Sequence, residues 1–323
     1  MSLIEGLSGI FKSKSQKSET ELLLDECGEI LAELRKQNLS SRDFLRESIR
    51  SLAFKTPNFP YKIWLEKCLK EGDTEALNDL IFQYAKIRLL PGCSGGYDQC
   101  ERLIPAFLAL ACGDIKTVKN VFAKGLPPSK NGYKFLCVMS DLLTAMLWED
   151  KKSLDAALKK ACEFAASKKP LNERYAVGFM IALREKDAVL MGENLQNFCA
   201  SFSRTDADEF EKRLCVFAHG LHALARLILS FEVFEQVSLP TAKNFSRFYA
   251  KRLLNAKQAQ PKLYFSFPSE FRIFNEILSA PPAKTVLTQL YFPRSKAFYL
   301  DHDTMVENLA DEILKARTLN QNL

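Results

Sequence analysis

The stretch LALACGDIKTVKNVF, residues 108–122, decides the fold. An apolar run stops at Gly113-Asp114, and a second apolar run begins at once. Glycine readily takes the left-handed conformation that closes a helix. The aspartate after it can accept free N–H groups of the next helix and suits the positive end of that helix's dipole. The dipeptide therefore predicts two helices joined by a tight turn.

The same arrangement surrounds Asp73, Asp150 and Asp187, which lie 36 to 41 residues from their neighbours in the series. Around Asp114 the positions four, eight and twelve residues away are Ala106, Leu110, Val118, Phe122 and Leu126. The equivalent set is Leu65, Leu69, Leu77, Ile81 and Ala85 around Asp73, and Leu142, Met146, Leu154, Leu158 and Cys162 around Asp150. Around Asp187 it is Phe179, Leu183, Met191, Leu195 and Cys199. All of these are apolar, at a spacing that keeps them on one broad helical stripe. A repeat of this length predicts stacked helical hairpins, because one hairpin cannot bury both its faces alone. Glu149 and Lys186 stand where the other copies have glycine, which predicts a turn that varies between copies. Between hairpins lie the breakers LLPGCSGGYDQ, KGLPPSKNG and ASKKPLNE.

The segment 20–54 reads as a worn first hairpin, with Leu23, Cys27, Ile30 and Leu34 on one helix and Phe44, Leu45, Ile49 and Leu52 on the next. After Asp187 the pattern changes. Phe210, Leu214, Phe217, Leu221, Leu224 and Ile228 predict one long helix over about 205–231 that closes the array. Pro240 and Thr241 open a helix through about 256, with Phe245, Phe248, Tyr249 and Leu253 on one side. Ser269 is expected to cap a short helix carrying Phe274, Ile277 and Leu278, and a last helix starts near 303. The stretches 257–268 and 280–300 carry no assignable pattern. The expected fold is all-α: stacked hairpins in an αα-superhelix over 20–202, with a C-terminal helical region over 203–323 packed on it.

The chain has 323 residues, 47% of them hydrophobic, enough for a sizeable core. No apolar run approaches the ~18 residues of a membrane span. The opening MSLIEGLSGIFKSKSQKS does not read as a secretory signal, since Glu5 interrupts its apolar part and Lys follows it. Nine cysteines spread through helical patterns suggest buried, reduced thiols and a cytoplasmic protein. Cys162 and Cys199 fall where a small apolar side chain would pack.

Little in the chain points to catalysis. His219 and His222 in HGLHALAR could share a helix face, but no further ligand set accompanies them, so ordinary helix-surface or packing histidines are expected. His302 is flanked by acids that suit a helix start. The loop GCSGGYDQC (92–100) offers Cys93 and Ser94 on a glycine-rich turn, but no oriented base accompanies them. No cofactor or metal is expected. The four repeat aspartates are expected to be caps.

Charge is concentrated. Residues 243–296 hold ten basic side chains, among them Lys243, Arg247, Lys251 and Arg294, against only Glu270 and Glu276. Lys243, Arg247 and Lys251 recur every four residues and would form one stripe, facing an acidic partner. Most such stripes are solvated helix faces.

LALACGDIKTVKNVF, LLTAMLWEDKKSLDAALKKACEF and EFEKRLCVFAHGLHALARL together resemble the immunity protein 49 family of bacterial polymorphic toxin systems, over roughly residues 60–255. The resemblance implies an all-α protein that binds a cognate toxin and blocks it without catalysis. It transfers no site residues. Family members commonly oppose nuclease-type toxins, and a nucleic-acid mimic would present acid, so the basic 243–296 region departs from that expectation. Anchors for such a partner are expected at Arg247, Lys251, Tyr291 and Arg294, and at the turn residues Trp148 and Glu149. The alternatives are a helical scaffold that binds a peptide, an acidic protein or, less readily, nucleic acid, and an enzyme using His219, His222 or Cys93.

Overall fold

A computed structural model describes residues 17–54, 59–92, 96–202, 205, 207, 209–254, 260–289 and 297–321. Helices dominate. The first pair is α1 (Glu19–Lys36) and α2 (Ser41–Phe54). Four aspartate-punctuated hairpins follow. They are α3 (Tyr61–Glu71) with α4 (Thr74–Arg88), α5 (Leu103–Ala111) with α6 (Ile115–Val121), α7 (Lys134–Leu147) with α8 (Lys151–Ala165), and α9 (Leu171–Glu185) with α10 (Ala188–Phe202).

The four turns share one geometry. The residue before each aspartate has positive φ: 67° at Gly72, 83° at Gly113, 51° at Glu149 and 59° at Lys186. Each aspartate N–H then donates to the carbonyl five residues back, at 3.3 Å to Cys68, 2.9 Å to Ala109, 3.2 Å to Ala145 and 3.0 Å to Ala182. This is the Schellman closure of a helix C-terminus. Each carboxylate accepts the N–H three residues on: Ala76 at 2.9 Å, Thr117 at 3.1 Å, Ser153 at 3.3 Å and Leu190 at 2.9 Å. The turn expected to vary is therefore uniform. Hydrogen bonding at both helix ends holds Glu149 and Lys186 in a conformation their side chains do not favour.

The repeat stripe faces the core, with Leu69, Leu126 and Leu158 half-buried and Cys162 exposed. Cys162 corrects the expectation of a packed thiol. Steps of four residues advance about 40° beyond a full turn, so three steps from Asp150 carry the side chain off the inner face. Leu154, Ala157, Ala161 and Phe164 are buried on that face instead. The other described cysteines are buried free thiols.

The expected helix over 205–231 is interrupted. A short α11 (Glu209–Arg213) stops before α12 (Val216–Ile228). The Cys215 N–H leaves the helical ladder and donates 2.7 Å to the Asn244 carbonyl. Every residue from Val216 to Ala225 is buried, because α12 packs against α5, α9 and α10. After α13 (Phe231–Phe234), the helix expected from Pro240 starts only at Arg247: α14 (Arg247–Lys251), capped by Ser246 and continued by a 3-10 turn to Leu254. Asn244 lies in the turn before it, with its side-chain amide donating 2.9 Å to the Cys199 carbonyl. At Ser269 a 3-10 turn without a side-chain cap leads into α15 (Arg272–Ser279). The last helix is α16 (His302–Gln321), whose start Asp301 caps through the Thr304 N–H at 3.0 Å.

The described parts of the unassigned stretches, 260–268, 280–289 and 297–300, are mostly extended chain. Residues 260–268 lie against α4, where the Gln83 amide pairs with Phe265 as a neighbouring strand would, donating at 3.2 Å and accepting at 2.7 Å. Strands β1 (Leu287–Gln289) and β2 (Phe298–Leu300) pair antiparallel, with Leu287 opposite Leu300. One buried apolar cluster runs from Leu23 on α1 to Ile313 on α16.

Candidate functional site

The described residues among those expected to bind a partner fall into two places. Trp148 ends α7. It is half-buried, and its indole Nε1–H donates 2.7 Å to the Phe122 carbonyl. The Lys119 ammonium lies 5.6 Å from its ring centre. Glu149 beside it is exposed. Both line an open cavity of about 670 Å³ together with Lys124, Lys151, Lys152 and Lys160. Of these lysines, Lys160 is paired with Asp141 at 2.8 Å.

Arg247 and Lys251 are exposed on α14. Lys243 precedes the helix in a turn, so the three-residue helical stripe expected from spacing does not form. Tyr291 and Arg294 lie outside the described residues. So do Cys93 and Ser94.

Sequence reasoning missed what surrounds Arg247 and Lys251. Phe248, expected on one side with Phe245, Tyr249 and Leu253, is 37% exposed, and Leu254 is exposed at 43%, Leu227 at 44% and Phe231 at 36%. Arg226 binds this surface together. Its Nε donates 3.3 Å to the Leu253 carbonyl, and its guanidinium lies 5.2 Å from the Phe231 ring centre. Below, Tyr249 is fully buried, and its hydroxyl sits 2.8 Å from Asn78 Oδ1 and 2.9 Å from the Ala111 carbonyl. Arg252 stacks on the Tyr249 ring at 4.4 Å and donates to the same Ala111 carbonyl. A rigid base anchored to the end of α5 therefore presents Arg247, Phe248 and Lys251 outward. No carboxylate among the described residues pairs with Arg247 or Lys251.

His219 and His222 serve packing. His219 stacks on Phe245 at 4.1 Å, and its Nε2 accepts the Ser246 N–H at 3.3 Å. His222 lies 4.7 Å from Phe234. Burial pushes the His219 imidazole well below the ordinary histidine range and His222 down to about 4. His302 Nδ1 accepts the Gly92 N–H at 3.2 Å. Among the described residues no group of three or more His, Cys, Asp or Glu side chains is placed to hold a metal ion, and no helix is long and apolar enough to cross a membrane.

The glycine-rich loop has an organised end. Asp98 is buried, and its carboxylate accepts Ser129 Oγ at 2.6 Å and the N–H groups of Lys130 at 2.7 Å, Asn131 at 2.8 Å and Cys100 at 3.0 Å. It ties two breaker loops that sequence reasoning treated as separate. No short-range pattern marks that role, since the partners on the other loop lie about thirty residues away.

The architecture is that of an all-α protein. No family model, curated protein or solved structure matches this chain.

Proposed function

We propose that this chain is a non-catalytic binding protein that captures a partner protein, and specifically an immunity protein that neutralises a cognate bacterial toxin. The surface at α13 and α14 supports partner capture. Exposed aromatic, aliphatic and arginine side chains adjoin on a rigid base, the composition typical of interface anchors. Cations beside them, with no carboxylate partner among the described residues, suit a partner with an acidic face and would speed encounter. A stacked-hairpin array would supply the stiff frame such docking needs. The toxin assignment rests on the resemblance of residues 60–255 to the immunity protein 49 family.

Co-expression tests this reading. The neighbouring gene product should arrest growth when expressed alone, and this chain should restore growth. The double variant Arg247→Glu/Lys251→Glu should lose protection while keeping the wild-type Tm, because both side chains are exposed. A toxic neighbour that this chain fails to counter sinks the proposal. A mobility shift with nucleic acid, abolished by the same two substitutions, would support the scaffold alternative instead.

A further inference from the structure

A second cavity lies away from α14. It encloses about 440 Å³ between α5, α7, α9, α10 and α12. Its walls are Ile104, Phe135, Phe198, Phe202 and Phe217. The rings of Phe198 and Phe217 lie 5.6 Å apart, those of Phe135 and Phe217 6.2 Å, and those of Phe198 and Phe202 5.4 Å. Tyr97 and Tyr133, both exposed, stand at the mouth, one on each of the two loops that Asp98 ties together. This is the size and lining of a small-molecule site.

Two acids line the cavity: Glu211, which is paired with Arg88 at 3.2 Å, and Glu173. Glu173, in the first turn of α9, is only 8% exposed and lines the cavity. Tyr133 interacts with its carboxyl, but its Oε2 is buried with no hydrogen-bond partner among the described residues. Burying a carboxylate without full compensation costs several kcal/mol. The α9 dipole offsets part of that cost; the bare oxygen still lacks a donor among the described residues. Aromatic faces carry negative potential and attract a cation that enters among them.

We propose that this cavity binds a small organic ammonium ion: a cationic head against the Glu173 carboxyl and an aromatic or branched aliphatic body among Phe135, Phe198 and Phe217. The site is separate from the α14 surface and stands whether or not that surface docks a toxin.

Calorimetric titration of the full chain with three probes of similar shape tests it. The cation 2-phenylethylamine should bind at least about tenfold tighter than neutral 2-phenylethanol, and anionic phenylacetate should not bind. Glu173→Gln should remove the preference for the amine and leave the alcohol's affinity unchanged, with the far-ultraviolet circular dichroism of the wild type. Leu136→Trp, which adds volume to the cavity wall from α7, should abolish binding of both amine and alcohol. The proposal fails if the amine does not bind at millimolar concentration, if amine and alcohol bind equally, if phenylacetate binds best, or if Glu173→Gln keeps the amine preference. It fails too if Leu136→Trp folds and still binds the amine.

Discussion

At Glu149 and Lys186 the chain holds non-glycine residues in the left-handed region, with φ of 51° and 59°. Both side chains are exposed, so a substitution there changes backbone preference and little else. Lys186→Gly should stabilise the fold by about 0.5–1 kcal/mol, and Gly72→Ala should cost about 1 kcal/mol. Urea unfolding measures both. The capping aspartates follow the same logic. Asp114→Ala, which frees the Thr117 N–H, should cost about 1 kcal/mol, whereas Asp114→Asn should cost little. The aspartates were legible in sequence because a cap acts within three residues. The conformation of Glu149 and Lys186 was not, because the bonds that impose it come from carbonyls a full turn earlier.

At the scale of elements, two contacts join distant parts of the chain. The first is a ladder between α2 and α16. Arg42 pairs with Asp311 at 2.7 Å, Arg46 with Glu307 at 3.2 Å and Arg50 with Asp303 at 2.6 Å. Steps of four on each helix, running in opposite directions, keep all three pairs in register. Each pair is partly exposed and weak alone. Reversing Arg42, Arg46 and Arg50 to Glu together should lower hydrogen-exchange protection of residues 302–319 by about tenfold or more. Reversing Asp303, Glu307 and Asp311 to Lys in the same chain should restore it. The second contact is the crossing of α5 and α12. A Cβ on Gly220 would fall 2.3 Å from the Phe107 carbonyl oxygen. Backbone cannot yield as a flexible side chain can, so Gly220→Ala should destabilise by about 1–3 kcal/mol, read from the thermal midpoint. Gly220 in HGLHALAR gave no hint of this. A small residue on an apolar helix names no partner, and α5 lies more than a hundred residues away.

For the whole molecule, acid is the informative stress. His222 is buried neutral in the folded chain, at about 4 against an ordinary 6.5, and His219 is depressed in the same direction. Between those values the unfolded chain binds more protons, so stability rises with pH. It should fall as pH drops below about 6.5, with the His222 share complete below about 4 and amounting to roughly 3 kcal/mol. Burial raises Asp79 and Glu173, and these act in the opposite sense. The test is therefore the difference between wild type and His222→Phe, whose acid limb should be shallower. Since His222 Nδ1 has no hydrogen-bond partner among the described residues, the substitution orphans no described group at that atom.

The sequence by itself determined the helices of the repeat, their hairpin turns and most of their inward faces. Each of those depends on residues within a few turns of one another: apolar spacing, a left-handed closing residue, an aspartate cap. Only the tertiary structure decided where α12 breaks, that Phe248 reaches solvent beside Arg247 and Lys251, and that Glu173 is enclosed by rings from α7, α10 and α12. Those outcomes turn on which surfaces long-range packing covers. A phenylalanine or a glutamate carries the same local signal on either side of that boundary, and the distinction appears only when remote helices close over one and leave the other exposed.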